Sequence, residues 1–303
     1  MGARTQIRAP RGYRKSGTGT GTFTGRQSRG AAPLKTLFPN IDRYFWDATL
    51  ALCVIALAWV TSACAPEATL LTARDETPAQ EAKKPCPQGM VVNGATCIDA
   101  FEAHLEEIDE AGVVVRVYPP NKSPPLSAKP ALRLRAKSSL GVLPQAHIPQ
   151  RDALAACHLA GKRLCTKQEW LAACRGPSNT AYPHGSRERA GACNDRGVEV
   201  LAAIFKQPSA PDTWGFDPMN DPRLHLVPGG PSRTGRFTQC ASEVGAFDMV
   251  GNLHEWIDDP DGTMLGGFYL DTRTLGEGCN YGTTGHDQHY RDYSTGFRCC
   301  QDR

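Results

Sequence analysis

The sequence predicts an α+β domain with short strands, few helices and much irregular chain. Residues 113–118, Val-Val-Val-Arg-Val-Tyr, are rich in β-branched side chains and predict a strand. Residues 150–160 place small apolar side chains on one helical face, and Gly161 supplies a stop signal. Residues 177–240 are rich in Pro, Gly, Asn and Asp, and so long an irregular segment in a compact domain is usually functional or braced by a metal.

Three local patterns place further elements. Thr166 and Glu169 form a capping box, in which each side chain binds a free backbone N–H of the first helical turn, so a second helix is predicted from Thr166. Residues 129–137 alternate basic side chains with leucines and predict a solvated edge strand, with an acidic partner site as the alternative. Cys86 and Cys97 bracket a segment that predicts a small hairpin closed by a disulfide.

Charge and composition divide the chain into segments. The net charge of +3 is uneven, because residues 1–45 carry nine basic residues and one acid. Beyond residue 63 there are 25 basic and 29 acidic residues, so the part expected to fold is mildly acidic and no nucleic-acid partner is predicted. We predict four segments: a basic disordered extension over 1–43, a signal peptide over 44–64, a linker over 65–84 and a folded domain over 85–303.

The second segment has the features of an export signal. Residues 48–60 form an uncharged apolar run, too short for a membrane span of about 17–25 residues but of the length found in signal peptides. Thr61-Ser62-Ala63-Cys64 resembles a bacterial lipobox, which predicts lipidation at Cys64 and a lipoprotein of the cell envelope, in the periplasm or attached to the outer membrane. A plain secreted protein and an uncleaved anchor are the alternatives.

Cysteine usage agrees with export. Ten of the 12 cysteines follow Cys64, and an even number in an exported chain predicts disulfides. No Cys-x-x-Cys pair occurs, so a zinc ribbon is not expected.

The segment Asp248–Trp256 carries the main candidate site. Asp248 and Glu255 offer hard oxygen ligands on either side of a glycine turn whose carbonyls can add more, which suits Ca²⁺. The alternative is a buried strand with a structural Trp256 and a solvated acid.

Four motifs occur in order over about residues 85–303. They are Gly-Lys-Arg-Leu-Cys-Thr-Lys-Gln-Glu-Trp at 161–170, Phe-Asp-Met-Val-Gly-Asn-Leu-His-Glu-Trp at 247–256, Gly-Gly-Phe-Tyr at 266–269 and Gly-Phe-Arg-Cys at 296–299. Together they resemble the formylglycine-generating enzyme, or sulfatase-modifying factor, family. The resemblance implies a C-type-lectin-like fold braced by disulfides and calcium.

The resemblance also implies specific pairings and ligands. It pairs Cys157 with Cys299 and Cys174 with Cys279, and the remaining cysteines then pair by position as Cys86–Cys97, Cys193–Cys240 and Cys165–Cys300. A structural Ca²⁺ is implied at the side chains of Asp248 and Glu255 and the carbonyls of Gly251 and Leu253. A first Ca²⁺ is implied at Asn194 and Asp195, with Asp217 or Asp221 to complete it.

The family's redox centre is not expected in this chain. Its enzymes oxidise a sulfatase cysteine with O₂ and a copper ion held by two thiolates, and soft thiolates suit Cu(I). The corresponding positions are Asp271 and Gly276, and five disulfides would consume the ten cysteines, so we do not expect copper. The alternative metal site is a non-haem iron centre with His286, His289 and Asp292 as ligands. The competing interpretation is that these three residues only brace the loop before residue 296.

We therefore expect a non-catalytic binding or accessory module, tethered to the membrane through its lipid, with a peptide, protein or glycan partner. Its ligand cleft is expected over Gly266 and Gly267, lined by Trp214, Trp256 and Tyr269. One alternative is an enzyme, either a metal-dependent oxidoreductase that oxidises protein cysteines or a non-haem iron enzyme. The other alternative is a purely structural envelope protein.

Overall fold

The structure is a computed structural model that describes residues 84–125, 132–206 and 214–303. The predicted extension over 1–43, the signal segment with Cys64 and the linker up to residue 83 lie outside the described residues. The described residues belong to one compact unit, spanning 81–303. Within these described ranges, no helix combines the length and the apolar character needed to cross a bilayer.

The elements are short, as the composition predicted. The strands are β1 Met90–Asn93, β2 Thr96–Asp99, β3 Ala103–Ile108, β4 Val114–Val117, β5 Leu134–Ser138, β6 Arg163–Leu164, β7 His254–Trp256, β8 Met264–Leu265, β9 Gly282–Thr283, β10 Thr295–Phe297 and β11 Cys299–Asp302. The α-helices are α1 Gln150–Leu159, α2 Lys167–Arg175, α3 Val200–Phe205 and α4 Phe216–Met219, and 3₁₀ turns span Leu224–Leu226 and Gly278–Asn280.

The strands form three small sheets. The first has the order β1-β2-β11-β6 with antiparallel pairing, so the C-terminal strand lies between the N-terminal hairpin and the turn after α1. The second has the order β10-β7-β8-β9, and β10 runs parallel to β7. That register sets Gly296 opposite Glu255 and Phe297 opposite Trp256, which brings two of the sequence motifs side by side.

The two predicted helices are confirmed. Helix α1 buries Ala153, Ala156 and Cys157, and the chain leaves it through Gly161 at φ 70°. Helix α2 begins after Thr166, whose hydroxyl accepts from the N–H of Glu169 while the Glu169 carboxylate accepts from the N–H of Thr166.

The third sheet, β4-β3-β5, contains both strands predicted upstream of the helices. Strand β5 lies at its edge, buries Leu134 and Ala136 and directs Arg135 to Glu106 at 2.7 Å. The basic face is therefore partly neutralised within the sheet. Residues 129–131 of the predicted strand lie outside the described residues.

Three apolar clusters make up the described core. Trp170 lies in a cluster with Ile98, Met249 and three disulfides, whereas Trp256 packs with Phe297, Met264 and the Cys157–Cys299 bridge. Tyr269 belongs to a third cluster with the short helix α3. The fold is thus a mixture of α and β elements cross-linked by disulfides.

Candidate functional site

The turn that precedes β7 is shaped by left-handed backbone. Asp248, Gly251 and Asn252 have φ values of 57°, 80° and 57°. Gly251 faces the carbonyl oxygen of Asn194, which a Cβ at position 251 would approach to 2.2 Å. Only glycine allows this approach, so the two segments predicted to bind calcium pack directly against each other.

Asn252 connects these segments to the N-terminal part of the domain. Its backbone N–H donates to Asn194 O at 2.9 Å, and its Oδ1 accepts from Asn194 Nδ2 at 2.9 Å and from Ser232 N at 2.7 Å. Its Nδ2 donates to Glu102, which also accepts from Leu253 N at 3.0 Å. Glu102 therefore has a structural hydrogen-bonding role, and Asn252 is a hub whose importance the sequence pattern did not indicate.

Glu255 forms a buried ion pair. Arg298 Nε donates to Oε2 and Arg298 Nη2 to Oε1, both at 2.7 Å, and Trp170 Nε1 also donates to Oε2 at 2.7 Å. Arg298 is fully buried and Glu255 nearly so. The alternative to a calcium site was a buried strand with a structural Trp256 and a solvated Glu255. The strand and the buried Trp256 are present, but Glu255 is not solvated.

This centre contains more negative than positive groups. Glu102, Asp248 and Glu255 lie around one guanidinium. Burial raises the pKa of Glu102 well above its usual value, and the charges of Asp248 and Glu255 raise it further. Burial also raises the pKa of Asp248 to about 6, although Gly235 N donates to its Oδ2 at 2.7 Å. If all three acids are ionised the cluster carries two uncompensated negative charges.

The donor types fit a calcium ion in part. With all three acids ionised, the two uncompensated charges would match one divalent cation, and Asp248 with the carbonyls of Gly251 and Leu253 offers the oxygen donors that calcium prefers. Glu255 differs from the expected ligand because both its oxygens already bind Arg298 or Trp170. Any cation here would share that carboxylate with a guanidinium.

The first predicted calcium segment is also built into the domain. Asn194 Nδ2 donates to Gly230 O at 3.1 Å, and Asp195 Oδ1 is buried with no hydrogen-bond partner among the described residues. Asp221, one of the two residues proposed to complete the site, binds Arg223 through both carboxylate oxygens. Asp217, the other, is the exposed second residue of α4.

Asp271 occupies the first position at which the resemblance expects a copper thiolate. Its Oδ1 accepts from the N–H groups of Arg273 and Thr274 at 2.9 Å, and Tyr281 donates its hydroxyl to Oδ2 at 3.3 Å. These hydrogen bonds keep the pKa of Asp271 below its usual value although burial opposes them. The carboxylate therefore serves as a turn-forming acceptor.

Gly276 occupies the second thiolate position and has no space for a side chain. Its φ is 115°, and a Cβ would lie 2.4 Å from the carbonyl oxygen of Asn280. All ten cysteines of the described residues are paired, as Cys86–Cys97, Cys157–Cys299, Cys165–Cys300, Cys174–Cys279 and Cys193–Cys240. These are the pairings that the sequence analysis gave, and the residues present do not fit copper held by two thiolates.

The non-haem iron interpretation is wrong. Asp292 binds Ser294 Oγ at 2.7 Å and Tyr290 OH at 2.6 Å, His286 pairs with Thr283 at 2.9 Å, and His289 is exposed. In the ranges that the structure describes, no three His, Cys, Asp or Glu side chains are arranged to hold a metal. Spacing in the sequence placed the two imidazoles near each other, but the loop directs them differently.

The predicted aromatic cleft is also wrong. Trp256 and Tyr269 are completely buried and belong to separate core clusters, so they cannot line one open cleft. Trp214 is half-buried and packs against Phe205 at 6.1 Å between ring centroids. These large aromatic side chains were predicted to contact a ligand, but they pack in the hydrophobic core instead.

Comparison with known proteins identifies the family. Residues 101–302 match the family described as the sulfatase-modifying factor enzyme 1-like domain, so the chain belongs to this family. A formylglycine-generating enzyme from Mycobacterium tuberculosis (strain ATCC 25618 / H37Rv) is 35% identical over 115 residues, covering 37% of this chain and 32% of that protein. The matched region is about a third of the relative's length.

Solved structures share weaker similarity. The I1 variant of the Major Tropism Determinant matches at a TM-score of 0.41 and 12% identity, covering 72% of this chain and 53% of its own. PvdO from Pseudomonas aeruginosa matches at a TM-score of 0.39 and 12% identity, and the match covers 69% of this chain and 80% of PvdO. CarF matches at a TM-score of 0.28 and 19% identity, and the match covers 46% of this chain and 48% of CarF. At these scores the similarities support no functional argument.

Proposed function

We propose that this chain is an exported sulfatase-modifying-factor-like domain that acts as a non-catalytic binding or accessory module in the bacterial cell envelope. One observation carries the proposal: the second thiolate position of the family is Gly276, where a Cβ would meet Asn280 O at 2.4 Å. The local backbone, and not only the residue type, is therefore unsuited to a copper-binding cysteine pair.

Export and tethering are supported by sequence and cross-linking. Five disulfides in one domain favour an oxidising compartment. The lipobox-like end at Cys64 supports lipid attachment, with the domain held at the membrane and a peptide, protein or glycan as partner. Replacing Cys64→Ala is expected to move the protein from the membrane fraction to the soluble fraction; unchanged fractionation would contradict a lipid anchor.

Calcium and a C-type-lectin-like fold remain part of the proposal. The excess of buried carboxylates around Arg298 supports a cation near Asp248. The cation would be structural: it would neutralise Asp248 and Glu102, and the turn carbonyls of Gly251 and Leu253 would complete its oxygen ligands.

The direct test counts free thiols and bound metals on one sample of the full chain purified from an oxidising compartment. Calcium without a free thiol among residues 84–303 supports the proposal. A reactive thiol pair with about one copper per chain would overturn it and favour the oxidoreductase alternative.

A second test asks whether the redox centre can be restored. Asp271→Cys with Gly276→Cys is expected to give neither copper binding nor oxidation of a cysteine-containing peptide, because the second side chain strains the turn. Asp271→Cys alone is the matched control, since position 271 already carries a side chain. Stoichiometric copper binding by the folded double variant would show that only two thiols were missing.

A further inference from the structure

A cavity of about 520 Å³ lies between α2 and the turn that enters β8. Lys167, Leu171 and Arg175 line one wall. They are spaced four residues apart and so share one face of the helix. This wall therefore presents a basic group at each end and an apolar side chain between them.

The facing wall is acidic. Asp259 and Asp261 belong to the turn after β7, and Thr263 follows them. Asp259 accepts from Thr263 Oγ1 at 2.5 Å and from Asp261 N at 3.0 Å, and these hydrogen bonds keep its pKa below the usual value. Asp259 thus shapes the turn, while Asp261 is exposed at its tip.

Among the described residues, the opposite charges in this cavity form no direct ion pair, although the charge of Lys167 contributes to the lowered pKa of Asp259. No ion pair within the described ranges joins Lys167 or Arg175 to Asp259 or Asp261. Arg175 instead donates to the side chain of Asn280. The space between the two walls separates groups that attract each other, and a ligand with two charges would bridge them.

We propose that this cavity binds a zwitterionic small molecule of the amino-acid or dipeptide class. The ligand's carboxylate lies toward Lys167 and Arg175, and its ammonium group lies toward Asp261 and Asp259. Leu171 and Leu265, with the Cys174–Cys279 disulfide behind them, contact an apolar side chain of the ligand.

Size and polarity favour this class. Small-molecule pockets have volumes of about 300–1,000 Å³ and combine apolar walls with a few convergent polar groups. A purely anionic ligand would face Asp259 and Asp261, and a purely cationic ligand would face Lys167 and Arg175. Only a ligand that carries both charges avoids like-charge repulsion at one wall.

The test is calorimetric titration of the purified full chain with four probes. These are leucine, leucyl-leucine, N-acetyl-leucyl-leucine, which lacks the ammonium group, and leucyl-leucine amide, which lacks the carboxylate. We expect the free dipeptide or the free amino acid to bind at least about tenfold more tightly than either blocked form, since a charge-assisted hydrogen bond contributes about this factor. Comparison of leucine with leucyl-leucine identifies the source of the zwitterion. Equal affinity for free and blocked dipeptides, or no binding of any probe, would overturn the proposal.

Two variants assign the walls. Lys167→Met is expected to weaken leucyl-leucine binding about tenfold and to leave binding of its amide unchanged, because the amide has no carboxylate to lose. Asp261→Asn is expected to weaken leucyl-leucine but not its N-acetyl form. Lys122→Met and Glu110→Gln are the matched controls, since both residues are exposed and lie outside the cavity. If Lys167→Met weakened every probe equally, or only as much as Lys122→Met, the assignment would be refuted.

This inference deepens the proposed function, since it assigns a ligand class to the binding module. The two can fail separately: the thiol and metal count tests the loss of oxidase chemistry, and the titrations test the cavity.

Discussion

Arg298 is the residue on which the buried centre depends most. Besides its two contacts with Glu255, its guanidinium donates to Asp99 O at 3.0 Å and to Phe247 O at 2.7 Å. Burial opposes its positive charge, but the charge of Glu255 keeps its pKa above the ordinary value. Arg298 therefore compensates buried carboxylates and also ties β2 and the turn before β7 to the C-terminal motif.

Replacing Arg298→Met is expected to lower the free energy of unfolding by about 3–5 kcal/mol, because it leaves buried carboxylates without their partner. Urea denaturation at neutral pH measures the change. The control is Arg196→Met, whose ion pair with Glu188 at 2.7 Å is more exposed and should contribute less than about 1 kcal/mol. Equal effects of the two substitutions would show that the buried pair has no special role.

Asp248 is the residue that best tests the proposed calcium ion. Glu255 is a poor choice, because its replacement also breaks the contacts with Arg298 and Trp170. Wild-type protein is expected to gain about 2.7 kcal/mol of stability when calcium is present at a hundred times its Kd, relative to excess chelator. Asp248→Asn should abolish this difference. A wild-type melting temperature that is the same in calcium and chelator would refute the site.

At the scale of single elements, the 3₁₀ turn Leu224–Leu226 buries His225 beside His147, whose own loop precedes α1. Both ring nitrogens of His225 are buried without hydrogen-bond partners among the described residues, and those of His147 have only the Asn220 side chain nearby. Burial lowers the pKa of His225 to about 3 and that of His147 to about 4. Both imidazoles are therefore neutral in the folded protein near neutral pH.

These histidines predict acid sensitivity with a definite sign. Each folded pKa lies below the ordinary 6.5, so the unfolded chain takes up more protons and stability falls as the pH drops from about 6.5 toward 3. Between pH 6.5 and 5.5, the free energy of unfolding of the His225→Leu variant should fall by about 1 kcal/mol less than that of the wild-type protein. Denaturation curves for both proteins at each pH measure it. Asp248, with its raised pKa, contributes the opposite slope in both proteins, so their difference isolates His225. Identical pH profiles would contradict this account.

The elements differ in how far the sequence could predict them. The capping box at Thr166 and the hairpin at Cys86–Cys97 depend on residues close in sequence, so their patterns were sufficient. The Glu255–Arg298 pair depends on the parallel register of β7 and β10, which local spacing does not encode. Gly276 was visible as a missing thiol, but its lack of space results from the approach of Asn280, which only the folded chain shows.

The buried aromatic residues show the same limit. A large side chain beside a glycine pair suggests a ligand cleft, and the sequence alone cannot show that Trp256 and Tyr269 belong to different core clusters. The His286 and His289 spacing failed as an iron motif for a related reason, since loop backbone gives no fixed direction to neighbouring side chains. Predictions held where periodicity or a motif constrained the backbone, and failed where tertiary packing decided.

For the whole molecule, the disulfides join distant parts of the chain to one short strand. Cys299 and Cys300 are adjacent in β11, and they bond to Cys157 in α1 and to Cys165 just before α2, over sequence separations of 142 and 135 residues. Cys86–Cys97 closes a loop of 11 residues only. In the chain-entropy account, a longer closed loop restricts the unfolded state more. The C-terminal strand therefore carries the bridges expected to stabilise the domain most.

Removing both bridges to β11 should consequently cost more than removing the hairpin bridge, whereas with either one intact the other closes a loop of only about ten residues. Replacing Cys157, Cys165, Cys299 and Cys300 together by Ala is expected to lower the free energy of unfolding by roughly 6 kcal/mol, against roughly 3 kcal/mol for Cys86 with Cys97. Paired substitution avoids leaving a single thiol that could exchange with other bridges. Guanidinium denaturation of both variants at one pH compares them directly. Equal losses would show that native packing around the bridges, rather than restriction of the unfolded chain, determines their contribution, and a larger loss at the hairpin would contradict the argument.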